Sequence, residues 1–337
     1  MKKFLKWTGI VVLVFVFAAT GGFFYMKKAY PLNIPKQEIT IAKDDSALIK
    51  RGEYLANNVT GCIDCHSTRQ LDKFAIPRLE GTEGMGGMKF PKEFGLPGTL
   101  YSKNITPAAL HDWTDADIYH TITTGIRKNG EPLFPLMPYK GFGQGDPEDM
   151  RAIVAYLRTL KPIENKEPIP ESELDFPLNL IVRTIPSAAA PTKRPPMSDT
   201  VNYGKYMVTI AGCTDCHTPM KEGAPLPGME FAGGNEYFLP MGTVRSANIT
   251  PDPVTGIGAW NKEMFVNTFK FHAKPENKNI PWQKRGYQTI MGWYEYSGMT
   301  NEDLGAIYTY LHTLKPVEHK VVKFTAAGEK APQSAMK

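Results

Sequence analysis

Two hexapeptides contain every cysteine in the chain: GCIDCH at 61–66 and GCTDCH at 212–217. Each sets two thiols three positions apart and follows the second with an imidazole. On a helix that spacing is about one turn, so both thiols stand on one face. Two thiols so placed can add across the two vinyl groups of one porphyrin, with the adjacent histidine beneath the iron. Three other chemistries use paired cysteines. A four-cysteine zinc site leaves both histidines without a role. A redox-active C-x-x-C wants a βαβ setting, which the sequence lacks. A disulfide across two residues closes a strained loop and has no use for the histidine. The repeated C-x-x-C-H therefore predicts two covalent haem c groups, on Cys62, Cys65 and His66 and on Cys213, Cys216 and His217.

Iron with one axial histidine takes a second ligand, and a methionine there raises the reduction potential. Of 15 methionines, Met137 (in PLMPYKG) and Met291 (in TIMGWYE) occupy matching places, 154 residues apart. Most methionines are core filler, so it is this shared register that singles out the two. Met299 is the nearest rival, but its counterpart is Gly145, which has no donor atom. The other histidines, His111, His120, His272, His312 and His319, have no matching partners and are expected mostly at the surface. The glycine-rich GTEGMGG (81–87) lacks nucleotide-loop spacing and a strand before it; it reads as a loop covering a haem.

The elements that must position these residues also occur twice. RGEYLA (51–56) and YGKYMV (203–208) lead into the two cysteine motifs, YSKNITP (101–107) and RSANITP (245–251) follow, and Trp113 and Trp260 come next. Each unit closes on an amphipathic helix. Met150, Ile153, Val154, Leu157 and Leu160 correspond at the same 154-residue offset to Leu304, Ile307, Tyr308, Leu311 and Leu314, an apolar stripe at i, i+3, i+4, i+7. Asp146-Pro147 and Thr300 start these helices, and Pro162 and Pro316 lie just beyond their ends. Middle helices are expected at 115–126, opened by a Thr114/Asp117 capping box, and at 262–271. Strand alternation is scarce. The expectation is an all-α fold of two tandem units, 46–162 and 200–317, joined by a proline-rich connector (163–199) whose apolar FPLNLIV (176–182) packs on a domain. A polar tail, 318–337, follows.

Lys2, Lys3 and Lys6 precede a run of 20 uncharged, mostly apolar residues, 7–26. At 1.5 Å per residue the run reaches about 30 Å, the thickness of a bilayer core. A cleaved signal peptide competes, but an A-x-A site is missing and Lys27-Lys28 follow directly. Residues 1–30 are read as a retained anchor with its N-terminus in the cytoplasm, and 31–45 as a tether. The formal charge of +5 is too small to indicate nucleic acid. No nucleophile–base pair or carboxylate dyad stands in a setting that supports hydrolysis.

The chain resembles the class I c-type cytochromes, and more closely the cytochrome subunits of membrane-bound bacterial alcohol, aldehyde and gluconate dehydrogenases. RGEYLA, LYSKNITP (100–107), NITPDPVTGIGAW (248–260), MGWYEYSGMTNEDLGAIYTYLHTLKPV (291–317) and FPLNL (176–180) carry the likeness, over roughly residues 46–316. The resemblance implies an all-α wrap around one haem per unit. It also implies electron passage from a partner dehydrogenase or respiratory complex to quinone, a terminal oxidase or a soluble cytochrome. Those subunits typically carry three haem motifs where this chain has two, and here the anchor is N-terminal. The expected protein is a dihaem electron carrier, not itself an enzyme, on the periplasmic face of the inner membrane. The enzymatic alternative is a dihaem cytochrome c peroxidase with one open haem.

Overall fold

The computed structural model describes residues 2–29, 33–42, 44–221 and 223–329. The end of the expected tail (330–337), the start of the tether (31–32) and the side chains of Lys27 and Lys28 lie outside that description. Helix α1 (Lys2–Ala29) exposes its large apolar side chains from Phe4 to Tyr25, and its stretch Lys3–Tyr25 is long and apolar enough to cross a membrane.

A similar succession of elements then occurs twice. The first comprises α2 (Ser46–Asn58), α3 (Cys62–Cys65), β1 (Lys89–Phe90), β2 (Gly98–Tyr101), α4 (Pro107–Leu110), α5 (Asp115–Thr124), α6 (Tyr139–Phe142), α7 (Pro147–Leu157) and β3 (Glu173–Leu174). After α8 (Leu178–Ile181) in the connector come α9 (Thr200–Ile210), α10 (Cys213–His217), β4 (Met220–Lys221), β5 (Ala224–Pro225), β6 (Glu236–Leu239), β7 (Gly242–Arg245), α11 (Lys262–Lys270), α12 (Trp293–Tyr296), α13 (Asn301–Leu311) and β8 (Phe324–Ala326). The first copy adds α4, and the second adds β4 and β5.

The closing helices form as their sequence dictates. Asp146 caps α7 by accepting from the Glu148 amide, Thr300 caps α13 through the Asp303 amide, and Thr114 and Asp117 form the full capping box of α5. The apolar stripe is buried: Met150, Ile153, Val154 and Leu157 in α7, and Leu304, Ile307 and Leu311 in α13. Helix α2 lies against α7 and α9 against α13. A Cβ on Gly52 would fall 1.8 Å from the Ala152 carbonyl oxygen, and one on Gly204 would fall 2.0 Å from that of Ala306. Only glycine lets the paired backbones come so close.

The all-α expectation needs correcting. Among the described residues there are three small antiparallel sheets, with strand orders β1-β2-β3, β4-β5 and β6-β7-β8. Strands of two to four residues are too short to show an alternation, and β3 and β8 pair only through the returning chain. In each unit the segment after the closing helix folds back: Leu174 pairs with Gly98, and Ala326 with Gly242. The repeat thus runs further along the chain than the helix register carried it, and part of the supposed polar tail is a strand. The tether is also laid down on the fold. Lys36 Nζ bonds Asp117 Oδ1 at 2.5 Å, and Ile39 and Ile41 pack against the core.

The two units meet by reciprocal contacts. Tyr54 donates to the carboxylate of Asp303, and its counterpart Tyr206 donates to Asp149 at 2.7 Å. Within its own unit Asp149 accepts both Arg51 nitrogens at 2.9 Å, and Asp303 accepts the Tyr203 hydroxyl at 2.7 Å. A second, unsymmetrical contact comes from the segment before Met291. The fully buried Gln288 accepts from the Ala75 amide at 2.9 Å and donates to the Lys73 carbonyl at 2.9 Å, while the Phe74 amide donates to the Ile280 carbonyl at 2.8 Å.

Candidate functional site

Both cysteine motifs form one short helical turn behind a left-handed glycine, Gly61 (φ 66°) or Gly212 (φ 67°). All four cysteines are free, with no disulfide between them. Burial pushes the thiol of Cys62 up to about 11 and that of Cys65 up to about 12, so both stay protonated and neutral at physiological pH. Among the described residues no three His, Cys, Asp or Glu side chains converge as one metal-ion centre would require, so the four-cysteine zinc arrangement is not formed.

The histidines are oriented alike. His66 Nδ1 lies 2.6 Å from the carbonyl oxygen of Lys103, and His217 Nδ1 lies 2.7 Å from that of Ala247. A carbonyl only accepts, so Nδ1 carries the proton and each Nε2 keeps its lone pair. Burial holds both rings below the usual histidine range and therefore neutral. A fixed tautomer with a basic, unprotonated Nε2 is what an axial ligand needs. Two neutral thiols one turn apart and an imidazole with a free Nε2 together fit a porphyrin held by thioethers and one axial nitrogen.

The orienting carbonyls are themselves fixed, which explains two repeated sequence features. The amides of Gly86 and Gly233 donate to the carbonyls of His66 and His217 at 2.8 and 2.7 Å. A Cβ on either glycine would lie 2.4 Å from the carbonyl carbon of Lys103 or Ala247. The glycine-rich loop is therefore shaped around the histidine's backbone partner. In NITP, Asn104 accepts from the amide and hydroxyl of Thr106 and donates to the Ile163 carbonyl; Asn248, Thr250 and Val317 repeat this. The motif ties the segment carrying the orienting carbonyl, just after β2 or β7, to the chain just beyond the closing helix.

Met137 and Met291 are both partly buried at the edge of the core, and in each case the carbonyl accepts the amide two residues on, from Tyr139 at 2.8 Å and Trp293 at 2.7 Å. The rival Met299 is 1% exposed, packed wholly inside the core. The expectation that the remaining histidines lie mostly at the surface is corrected for two of them: His120 and His272 are buried. Tertiary packing decides this, since neither has a repeat counterpart. His272 stacks between Phe74 (5.8 Å between ring centroids) and Trp293 (5.0 Å).

Sequence reasoning missed Glu295. Its Oε1 is buried without a hydrogen-bond partner, and it lies 2.6 Å from where a Cβ on Gly61 would be. Burial, with Asp64 adding to it, raises its carboxyl well above the ordinary range, and its charge acts on thiols of both motifs. Reciprocally, Gly212 faces Pro138 of the first unit. Each cysteine motif thus abuts the segment just after the other unit's matched methionine. The repeat comparison gives no signal for Glu295, because the corresponding first-unit position is Gly141.

A family model for cytochrome c matches residues 201–315. Over 288 residues the chain is 30% identical to the cytochrome c subunit of alcohol dehydrogenase (quinone) from Gluconacetobacter polyoxogenes, covering 81% of this chain and 57% of that protein. It is 26% identical to the gluconate 2-dehydrogenase cytochrome c subunit of Pantoea cypripedii over 297 residues, 83% of this chain and 63% of that one. A diheme cytochrome c-type protein of Cereibacter sphaeroides is 27% identical over 272 residues, 77% of this chain and 83% of that one. The chain thus spans little more than half the length of the alcohol dehydrogenase subunit. The thioether-ready turn, the oriented imidazole and these matches lead to one conclusion: the chain carries a cytochrome c domain at 201–315 and is similar over most of its length to the cytochrome c subunits of bacterial dehydrogenases.

Proposed function

We propose that this chain is a membrane-anchored dihaem cytochrome c, an electron-transfer component and not itself a catalyst. The observation that carries the second haem is the duplicated histidine geometry. His66 has the same Nδ1–carbonyl bond, the same glycine-pinned backbone and the same pair of neighbouring thiols as His217 in the matched domain. Cys62 and Cys65 would hold one haem by thioethers, and His66 and Met137 would supply the ligands to its iron. Cys213 and Cys216 would hold the other with His217 and Met291.

A bound haem c supplies one-electron iron chemistry. The protein's part would be to hold each imidazole in one tautomer, supply a methionine sulfur, and keep water out with the apolar core. The reciprocal packing of each cysteine motif against the other unit's methionine segment keeps the two sites adjacent, which suits passage of an electron between them.

The donor in this reading is a dehydrogenase, as the names of the relatives suggest, in the periplasm or membrane, or else a respiratory complex. The acceptor is a terminal oxidase or a soluble cytochrome. Helix α1 is the inner-membrane anchor, and the two units lie in the periplasm. The test is the absorption spectrum of the full chain, oxidised and reduced, with and without carbon monoxide. Two low-spin haems c indifferent to the gas support the reading. A high-spin component that binds carbon monoxide promptly overturns the carrier assignment in favour of an open, peroxidase-like iron.

A further inference from the structure

The connector holds a feature that electron transfer does not use. Outside α1, Phe176 is the most exposed large aromatic among the described residues, at 78%, and Ile181 beside it is 44% exposed. The sequence led one to expect this FPLNLIV stretch to pack on a domain, and half of it does. Val182 is buried, Arg183 bonds Glu131 at 3.0 Å, and β3 just upstream pairs with β2. The inner side of the segment is therefore fixed, while Phe176 and Ile181 remain outside.

Helix α8 touches α1. The stretch Lys3–Tyr25 has 23 residues, so it is about 35 Å long at 1.5 Å per residue. That slightly exceeds the roughly 30 Å hydrocarbon core, and α1 continues only to Ala29, so a segment touching this helix lies beside the span or within about one turn of its end. The tether restricts the geometry further. Lys36 is already docked on the first unit through Asp117, so few residues separate that unit from the anchor.

We infer that Phe176 and Ile181 are a second membrane contact, inserted at the interfacial region of the bilayer beside α1. The occupant of the apolar face is lipid. Phe and aliphatic side chains on a short element lying in the interface plane are suited to that role. The first unit is then attached at two points, by its anchor and by its connector, and cannot rotate freely about a single tether. The inference rests on the anchoring reading above.

The test uses the full haem-loaded chain in phosphatidylcholine vesicles containing a diazirine-bearing phosphatidylcholine, irradiated and mapped by peptide mass spectrometry. Val254, at 83% exposure and far along the chain, serves as the reference for exposed apolar surface. The expected result is adducts within 3–25 and, several-fold above the Val254 peptide, within 176–181. The Phe176→Ser/Ile181→Ser double variant should lose the second set several-fold and keep the first. Adducts on the span with only reference-level labelling of 176–181 overturn the inference and leave the anchor standing; the patch is then a face for a protein. Adducts on neither overturn the anchoring reading as well.

Discussion

The imidazole of His66 and the backbone carbonyl of Lys103 are 2.6 Å apart, and everything that holds the carbonyl in place also sets the direction of the ring's free nitrogen. The closest of these supports is Gly86. Its φ of 70° lies in the left-handed region, and a Cβ there would lie 2.4 Å from the Lys103 carbonyl carbon. Gly81 has a similar φ of 82° but nothing within 4 Å. Gly81→Ala should cost only the left-handed penalty, about 1–2 kcal/mol. Gly86→Ala should cost more and also shift the absorption spectrum of the first haem. Thermal melts and spectra of the two variants check this. Equal effects would mean that the glycine serves the turn and not the histidine.

The methionine assignments make a second prediction. Met137→Ala and Met291→Ala should each convert one of two low-spin haems to a high-spin, carbon monoxide-binding form, and the double variant should convert both. Carbon monoxide difference spectra give the count. A variant with the parent spectrum removes that residue from the ligand set.

The contact between units predicts a stability effect. Tyr54→Phe and Tyr206→Phe each delete a hydroxyl that donates to a carboxylate between units. A hydrogen bond to a charged group contributes about 1.5–3 kcal/mol, so each variant should unfold at correspondingly lower denaturant. The double variant should split one transition into two as the units uncouple. A single unchanged transition would mean that the other contacts between the units, that of Gln288 among them, suffice to couple them.

His272 supplies a pH dependence. Burial, and then the nearby Arg285 guanidinium, lowers its imidazole to about 4 from an ordinary 6.5. Between those values the unfolded chain binds a proton that the folded chain refuses, so unfolding gains as pH falls. The contribution to stability is complete above about 6.5 and is lost as pH drops towards 4. His272→Phe keeps the stack between Phe74 and Trp293 while removing the titrating group, and should flatten this slope. Urea midpoints at acidic and neutral pH for both proteins measure it; parallel losses would place the acid sensitivity elsewhere.

What the sequence made legible was local or periodic. The cysteine motifs declare themselves because their chemistry fixes their spacing, and α7 and α13 do so because a packed helix repeats its apolar face every turn. The caps at Asp146, Thr114 and Thr300 need only three or four residues to be read. The Gln288 contact was invisible, because one buried amide satisfies backbone groups more than 200 residues away and leaves no pattern behind. Strands β3 and β8 were lost for a related reason: two or three residues gain their pairing only when the chain returns. The GG pairs at 86–87 and 233–234 were the one available hint that the glycine loop serves both histidines alike.

The exchange of tyrosine hydroxyls between the halves has the form of a homodimer contact written into a single chain. Tyr54 relates to Asp303 as Tyr206 relates to Asp149, an isologous arrangement in which each surface carries both donor and acceptor. The second half cut free would still present Tyr206 and Asp303 together, and two such copies would satisfy each other without the first half. Such an arrangement is what duplication of a gene for a self-pairing ancestor would leave behind, with the connector making the old partnership permanent.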